Sequence, residues 1–369
     1  MTLFYLLVFS CIAGAYFIDK RSVDHDTVAI GIKNDVISGA IYLLILVAII
    51  LFSGTRSGYN DTYTYKENFE FLLKVDQISF STIFTPYGGF QFYQMLIKKY
   101  ISTNPQALVF ITAVLTNILI LPYIIRHTKY FASSLFFFFI NFFSFSMAGL
   151  KQAIAMAIAL YALDAFMRKK YCRAAIIFFV AYTFHPYIIC LLSVILLTES
   201  IWNTRTVVII IIIVFVIANF ENFLGFFTSI GKEYEATSFL GQTINPFRII
   251  VESIPIIISW IYRKKINETN DKWLILGINL SIVSFFILVL GLFFNAMYLG
   301  RIATYFSIIS FIALPKMLHA VFDGEERSQI LFLAYYSLFF VYCVLDMTKL
   351  LTYDLFYDPF LHVSLSQVF

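Results

Sequence analysis

The chain has 369 residues, of which 60% are hydrophobic, 19% aromatic and only 13% charged, against about 45–50% apolar and about 25% charged in soluble domains. Its mean hydropathy of +0.84 excludes an ordinary cytoplasmic globule. The 26 Lys+Arg against 22 Asp+Glu, net +4, fall short of the concentrated basic face that binding nucleic acid requires.

The opening stretch MTLFYLLVFSCIAGAYFIDKR has no basic residue ahead of its apolar run and no clear small-residue cleavage site, so it reads as an uncleaved first span. Eleven apolar blocks follow one another near residues 3–18, 36–53, 107–125, 131–147, 149–166, 174–197, 206–220, 247–262, 273–294, 301–318 and 329–345. The expected fold class is an all-α polytopic membrane protein, a bundle of about 11–12 transmembrane segments of roughly 20 residues each. It is read as a single integral membrane domain over residues 1–369.

Between the second and third blocks, NDTYTYKENFEFLL and GFQFYQMLIKKY interleave apolar and polar residues at helical spacing, with the turn TPYGG between them. Residues 54–106 are therefore expected as an outer loop of short amphipathic helices along the membrane interface. The 174–197 block is interrupted by His185-Pro186, and a residue before proline is pushed out of helical geometry, so a broken hairpin is expected there.

Dense basic clusters occur at Arg126 and Lys129, at Arg168, Lys169, Lys170 and Arg173, and at Arg263, Lys264 and Lys265. Under the positive-inside rule these share the cytoplasmic side. The loops at 54–106 and 221–246, the turns near 147–151 and His185, and residues 295–300 then face outward. No internal repeat and no soluble catalytic domain is evident.

Charged groups near the hydrocarbon are costly, and four candidates fall at outer helix ends: Arg56, Lys151, His185 and Arg301. Three cations and a titratable imidazole suit an anion site with a proton acceptor. Arg56 lies in SGTRSGYND near Asp61, which could contact sugar hydroxyls, act as an alternative base, or simply pair with Arg56. Lys151 and Gln152 follow Gly149 at the start of a helix rich in small residues that permits close packing. Arg301 and Tyr305 are four apart and share a helix face. Asp164 lies thirteen residues beyond Lys151, about 20 Å along a helix, so a pair with Arg168 is its simpler role. No Walker A loop, dinucleotide fingerprint, His-Glu-x-x-His helix or Gly-x-Ser-x-Gly elbow occurs. Cys11, Cys172, Cys190 and Cys343 are widely spaced and suggest neither a disulfide framework nor a metal cluster. No cofactor and no metal is assigned.

The segments RSGYNDTYTY, GLKQAIAMAIAL, KKYCRAAIIFFVAYTFHPY and RIATYF, in that order over approximately residues 35–310, resemble the EpsG-like family of bacterial exopolysaccharide and O-antigen repeat-unit polymerases. The resemblance implies a multi-pass enzyme of the bacterial plasma (inner) membrane. It would join undecaprenyl-pyrophosphate-linked oligosaccharides by glycosyl transfer at the outer face, making exopolysaccharide, capsule or O-antigen. Membrane lipids, a chain-length regulator and other assembly proteins are the further partners it implies. His185 or Asp61 would take the proton, while Arg56, Lys151, Gln152 and Arg301 would bind substrate; Tyr305, on the helix face of Arg301, is read from that spacing as a further substrate contact. Here Lys151 stands where the family pattern has Arg or Lys, so bidentate binding is not expected of it. A flippase of lipid-linked glycans and a single-sugar membrane glycosyltransferase are the competing readings.

Overall fold

A computed structural model describes residues 1–72, 80–219, 244–293, 296–322, 334, 336–341, 343–345 and 358–369. Most of the expected 221–246 loop and much of the last apolar block lie outside the described residues. Helices build the fold. The extended pairing among the described residues is an isolated antiparallel bridge, Arg56 to His362. The chain divides into two compact units, Met1–Ile188 with Asp346–Phe369, and Ile189–Leu345.

The first unit contains α1 (Thr2–Arg21), α2 (Val28–Asn34), α3 (Val36–Thr55), α4 (Thr62–Glu70), α5 (Gly88–Tyr100) and α6 (Pro105–His127). There follow α7 (Phe131–Phe138), a π-helical turn Phe139–Phe143, α8 (Ser144–Ala148), α9 (Leu150–Met167) and α10 (Tyr171–Phe184). Only 28% of the apolar window of α3 and 33% of that of α1 is buried, against 61% in α6 and 67% in α9. The outer pair keeps a broad apolar surface, whereas α6 and α9 form the centre. Alternating small residues explain the position of α9: Ala153, Ala155, Ala157 and Ala159 are all buried and let neighbouring backbones come close.

The ends of these helices are chemically unlike. At one end α1 and α6 finish and α3 and α7 begin. There Asp19 accepts the backbone N–H groups of Phe131 at 2.8 Å and Ala132 at 2.9 Å, capping α7 from another helix. Arg21 pairs with Asp35, the N-cap of α3, and Asp164 meets Arg168 at 3.0 Å and His127 at 3.6 Å. The Asp164–Arg168 pair expected from sequence is therefore present. The same end carries Arg126, Lys129, Lys169, Lys170 and Arg173 and is the basic end.

At the opposite end α3, α8 and α10 finish while α6 and α9 begin. The two amphipathic helices of the 54–106 loop are present and pack onto the bundle. Phe69 of α4 and Ile97 of α5 bury against Ala107 and Leu108 of α6. Phe90 of α5 buries against Leu150 and Ile154 of α9, with Phe184 of α10 alongside. Lys98 closes the pair by donating to the carbonyls of Phe69 and Glu70 at 2.9 Å.

The C-terminal residues return to this end. Ser57 N–H donates to the Leu361 carbonyl at 2.6 Å and Val363 N–H to that of Thr55 at 2.8 Å. Phe360 enters an aromatic cluster with Phe4, Phe52 and Tyr59. The N-terminal ammonium lies 3.6 Å from Asp358.

His185 breaks the 174–197 block as expected. It caps α10 in extended geometry, φ −150° and ψ 106°, and Pro186–Leu196 continues as a 3₁₀ helix. The second unit then holds α11 (Thr204–Ala218), α12 (Pro246–Ile261), α13 (Arg263–Glu268), α14 (Lys272–Leu290), α15 (Ala296–Phe306) and α16 (Ser310–Phe322). Buried Asn279 of α14 donates to the carbonyls of Leu197 at 2.8 Å and Ser200 at 3.3 Å, satisfying chain ends that would otherwise be stranded in apolar surroundings.

Six described helical stretches are long and apolar enough to cross a membrane, and a seventh if Tyr298–Phe306 and Ser310–Phe322, bent by 57°, count as one. The remaining apolar helices are shorter than the roughly 20 residues a perpendicular span needs. The expected all-α polytopic membrane fold is present, with the 174–197 block divided at His185-Pro186.

Candidate active site

The site is assembled where helix ends meet. Arg56 immediately follows α3, and its side chain is only 1% exposed. The guanidinium turns back to donate to the carbonyl of Ser53 and across to that of Met147 at 2.7 Å. These carbonyls belong to the last turns of α3 and α8, which lack intrahelical donors. Thr62 also donates to the Met147 carbonyl, at 3.4 Å. From α6, buried Gln106 donates to the carbonyls of Gly54 and Arg56, both at 2.9 Å. Lys66 donates to the carbonyl of Ser57 at 2.7 Å. The turn 54–57 is thus held from α3, α4, α6 and α8 at once.

Met147 precedes Lys151 by four residues, so the Arg56 contact fixes the start of α9. Lys151 places its ammonium 3.9 Å from the ring centroid of Tyr87. The same ring stands at 83° to the His185 imidazole with centroids 5.3 Å apart, and Tyr187 flanks the imidazole at 5.5 Å. His185 is 3% exposed. Lys151 and His185, 34 residues apart in the chain, are therefore brought together around one tyrosine.

Local geometry explains how Tyr87 reaches them. Gly88 N–H donates to the Thr85 carbonyl at 2.9 Å, closing a turn in which Pro86 precedes Tyr87. Tyr87 has φ 60° and ψ 6°, the left-handed geometry that such turns usually give to Gly or Asn. For a side chain with a Cβ this costs roughly 1–2 kcal/mol. Gly89 then allows α5 to approach α10: a Cβ there would lie 2.2 Å from Thr183 Oγ1 and 2.7 Å from Thr183 Cβ.

The other expected residues are placed as follows. Asp61 is the N-cap residue of α4 and is exposed, with no side-chain capping bond. Gln152 is buried in the first turn of α9. Arg301 and Tyr305 lie in the second unit on α15, Arg301 half-buried and Tyr305 fully buried. That helix is tied to α14 by Ser284, whose hydroxyl donates to the Ala303 carbonyl at 3.0 Å.

The EpsG family profile matches residues 39–358 of this chain, a range containing all of these side chains. The chain belongs to the EpsG family. No curated protein and no solved structure matches it. Membership, with its apolar helices, aligns it with multi-pass membrane proteins of the polysaccharide-polymerase type.

In this EpsG-family protein several site residues escaped the sequence reading. Gln106, Thr62 and Lys66 look like ordinary polar residues at helix starts, and Tyr87 sat inside a segment read only as a turn. The signal at Tyr87 was its position before Gly-Gly after a proline. His362, beyond the matched range, carries Nδ1 3.1 Å from Thr55 Oγ1 and its ring 4.7 Å from that of Phe52.

Burial lowers the Lys66 ammonium below the ordinary lysine value, the Arg56 charge adds to this, and Glu70 opposes it. Burial also lowers His362; Asp358 opposes the shift, while Arg56 and the N-terminal ammonium reinforce it. Among the described residues no group of three His, Cys, Asp or Glu side chains is placed to hold a metal ion.

Proposed function

We propose that this EpsG-family protein joins lipid-pyrophosphate-linked oligosaccharide repeat units into a polysaccharide at the outer face of the bacterial plasma membrane. The observation that carries the reading is the meeting of a cation and an imidazole, Lys151 and His185, at the end of the first unit opposite its basic cluster. If the basic end is cytoplasmic, that meeting point faces outward, where a lipid-linked glycan is presented.

In this mechanism a hydroxyl at the nonreducing end of one repeat unit attacks the anomeric carbon that links the growing chain to the lipid pyrophosphate. The new C–O bond forms as the bond from that carbon to the phosphate oxygen breaks. Lys151, aided by the first-turn N–H groups of α9 and by Gln152, holds the departing pyrophosphate. His185 accepts the hydroxyl proton, with Asp61 the alternative acceptor. Arg56 keeps the α3 turn against α8 and so sets where α9 begins. Arg301 is assigned to the substrate by resemblance and by its reach to phosphate, and Tyr305 by sharing its helix face. The carrier is read as undecaprenyl pyrophosphate, and the activated leaving group removes any need for ATP.

The test is to reconstitute the purified protein in liposomes with a defined undecaprenyl-pyrophosphate repeat unit and resolve product lengths. A ladder spaced by whole repeat units is expected, and H185A should abolish it. Products extended by single sugars would instead identify a glycosyltransferase of the other kind. Movement of intact substrate between leaflets without a new glycosidic bond would identify a flippase.

A further inference from the structure

Resting on that reading, we infer that Tyr87 is a positioning residue of the site: its ring holds the Lys151 ammonium and orients the His185 imidazole, so that the anion-binding cation and the proton acceptor serve one substrate. Three observations carry this. The ammonium lies 3.9 Å from the ring centroid, well inside the range of about 6 Å over which a ring quadrupole attracts a cation. The imidazole stands nearly perpendicular to the same ring, at 83° and 5.3 Å, a favoured arrangement of π systems. The backbone is committed to this placement, since Tyr87 adopts φ 60° and Gly89 leaves no room for a Cβ against Thr183, two residues before His185.

The aromatic ring has a chemical consequence. It attracts an ammonium to its face and packs edge-on against an imidazole, and an aliphatic side chain at position 87 would make neither contact.

The experiment compares Y87F, Y87L and Y87M in the full-length protein in liposomes, with Y87M as the second apolar variant should Y87L not fold. Two readouts are used. The first is the rate of reductive methylation of Lys151, followed by mass spectrometry, which needs no turnover. The second is kcat and KM for the lipid-linked repeat unit as a function of pH.

Y87F should keep Lys151 protection and turnover within about twofold of the parent. Y87L and Y87M should methylate Lys151 at least fivefold faster, raise KM and lower kcat about tenfold each, and displace the acid limb of the kcat profile. Unchanged protection in both apolar variants overturns the inference, and so does Y87F behaving like Y87L, since the ring would then not be the acting group. If the parent protein makes no polymer, the polymerase reading falls, while the methylation rates still decide whether Tyr87 holds Lys151.

Discussion

Gly89 packs closely against α10 beside the site, and replacing it by alanine is a stringent test of the arrangement. The added methyl would lie 2.2 Å from Thr183 Oγ1, 2.7 Å from its Cβ and 3.0 Å from its carbonyl carbon. The hydroxyl can rotate away, although it then gives up its 2.8 Å bond to the Val180 carbonyl. The Cβ and carbonyl carbon cannot rotate away. To restore ordinary contact, α5 must withdraw from α10 by somewhat under about 1 Å, an overpacking cost of roughly 1–3 kcal/mol. Tyr87, two residues earlier, withdraws with α5 and is pulled from His185 and Lys151. Misplacing catalytic groups by about 1 Å can cost about 100-fold in rate. G89A should therefore fold with reduced thermal stability and lose about 10- to 100-fold in kcat in the liposome polymerisation assay. Adding T183G removes the obstructing Cβ and should recover most of the loss. A G89A protein that turns over within twofold of the parent would refute the packing argument, as would a double variant no better than G89A.

Three further outcomes are expected. R56K loses the fork that spans the Ser53 and Met147 carbonyls; with charge-assisted hydrogen bonds worth about 1.5–3 kcal/mol each, thermal unfolding in detergent should show a clear loss of stability, and parent-like stability would contradict the assignment. The docked tail should loosen in acid: His362 is held below its ordinary value, so its contribution is complete above pH of about 6.5, the unfolded value, and is lost as pH falls. Hydrogen exchange at residues 359–369 should accordingly speed up from pH 7.5 to pH 5, and H362Q should flatten that response; equal flattening is not expected from a change far from the Arg56 turn. In a background with exposed Cys172 changed to Ser, a membrane-impermeant thiol reagent applied to intact cells should label Y63C on α4 but reach K170C only after permeabilisation; the reverse pattern would invert the membrane orientation.

Several features were legible in the sequence because they depend on neighbours along one helix. The apolar blocks mark α1, α3, α6, α9 and α14, and Pro186 marks the break at His185. Alternating polarity marks α4 and α5, and the spacing of Asp164 and Arg168 marks their pair. Other features depend on the tertiary fold and leave no local trace. Nothing in SGTRSGYND says that the Arg56 guanidinium reaches Met147, 91 residues away, instead of Asp61 nearby. Nothing around Lys151 says that its ammonium faces Tyr87. The C-terminal residues looked uninformative for the same reason: two backbone hydrogen bonds and the Phe360 cluster appear only once α1, α3 and the tail are adjacent.

The placement of Arg56 also clarifies how a site for anions can be built from helix ends of both signs. A helix C-terminus carries unpaired carbonyls and about half a negative charge, and an N-terminus the converse. At this end of the first unit the chain brings together the C-termini of α3 and α8 and the N-terminus of α9. Left unanswered, the carbonyls of Ser53 and Met147 would repel a pyrophosphate approaching Lys151. The buried Arg56 guanidinium engages both carbonyls, so their contribution to the field near Lys151 is offset. On this argument the two cations act in series: Arg56 cancels the helix ends that oppose anion binding, and Lys151 meets the anion. R56K should then weaken binding of the lipid-linked donor even where the fold survives, raising KM more than it lowers kcat, whereas a change confined to kcat would place the Arg56 charge at the reacting bond itself.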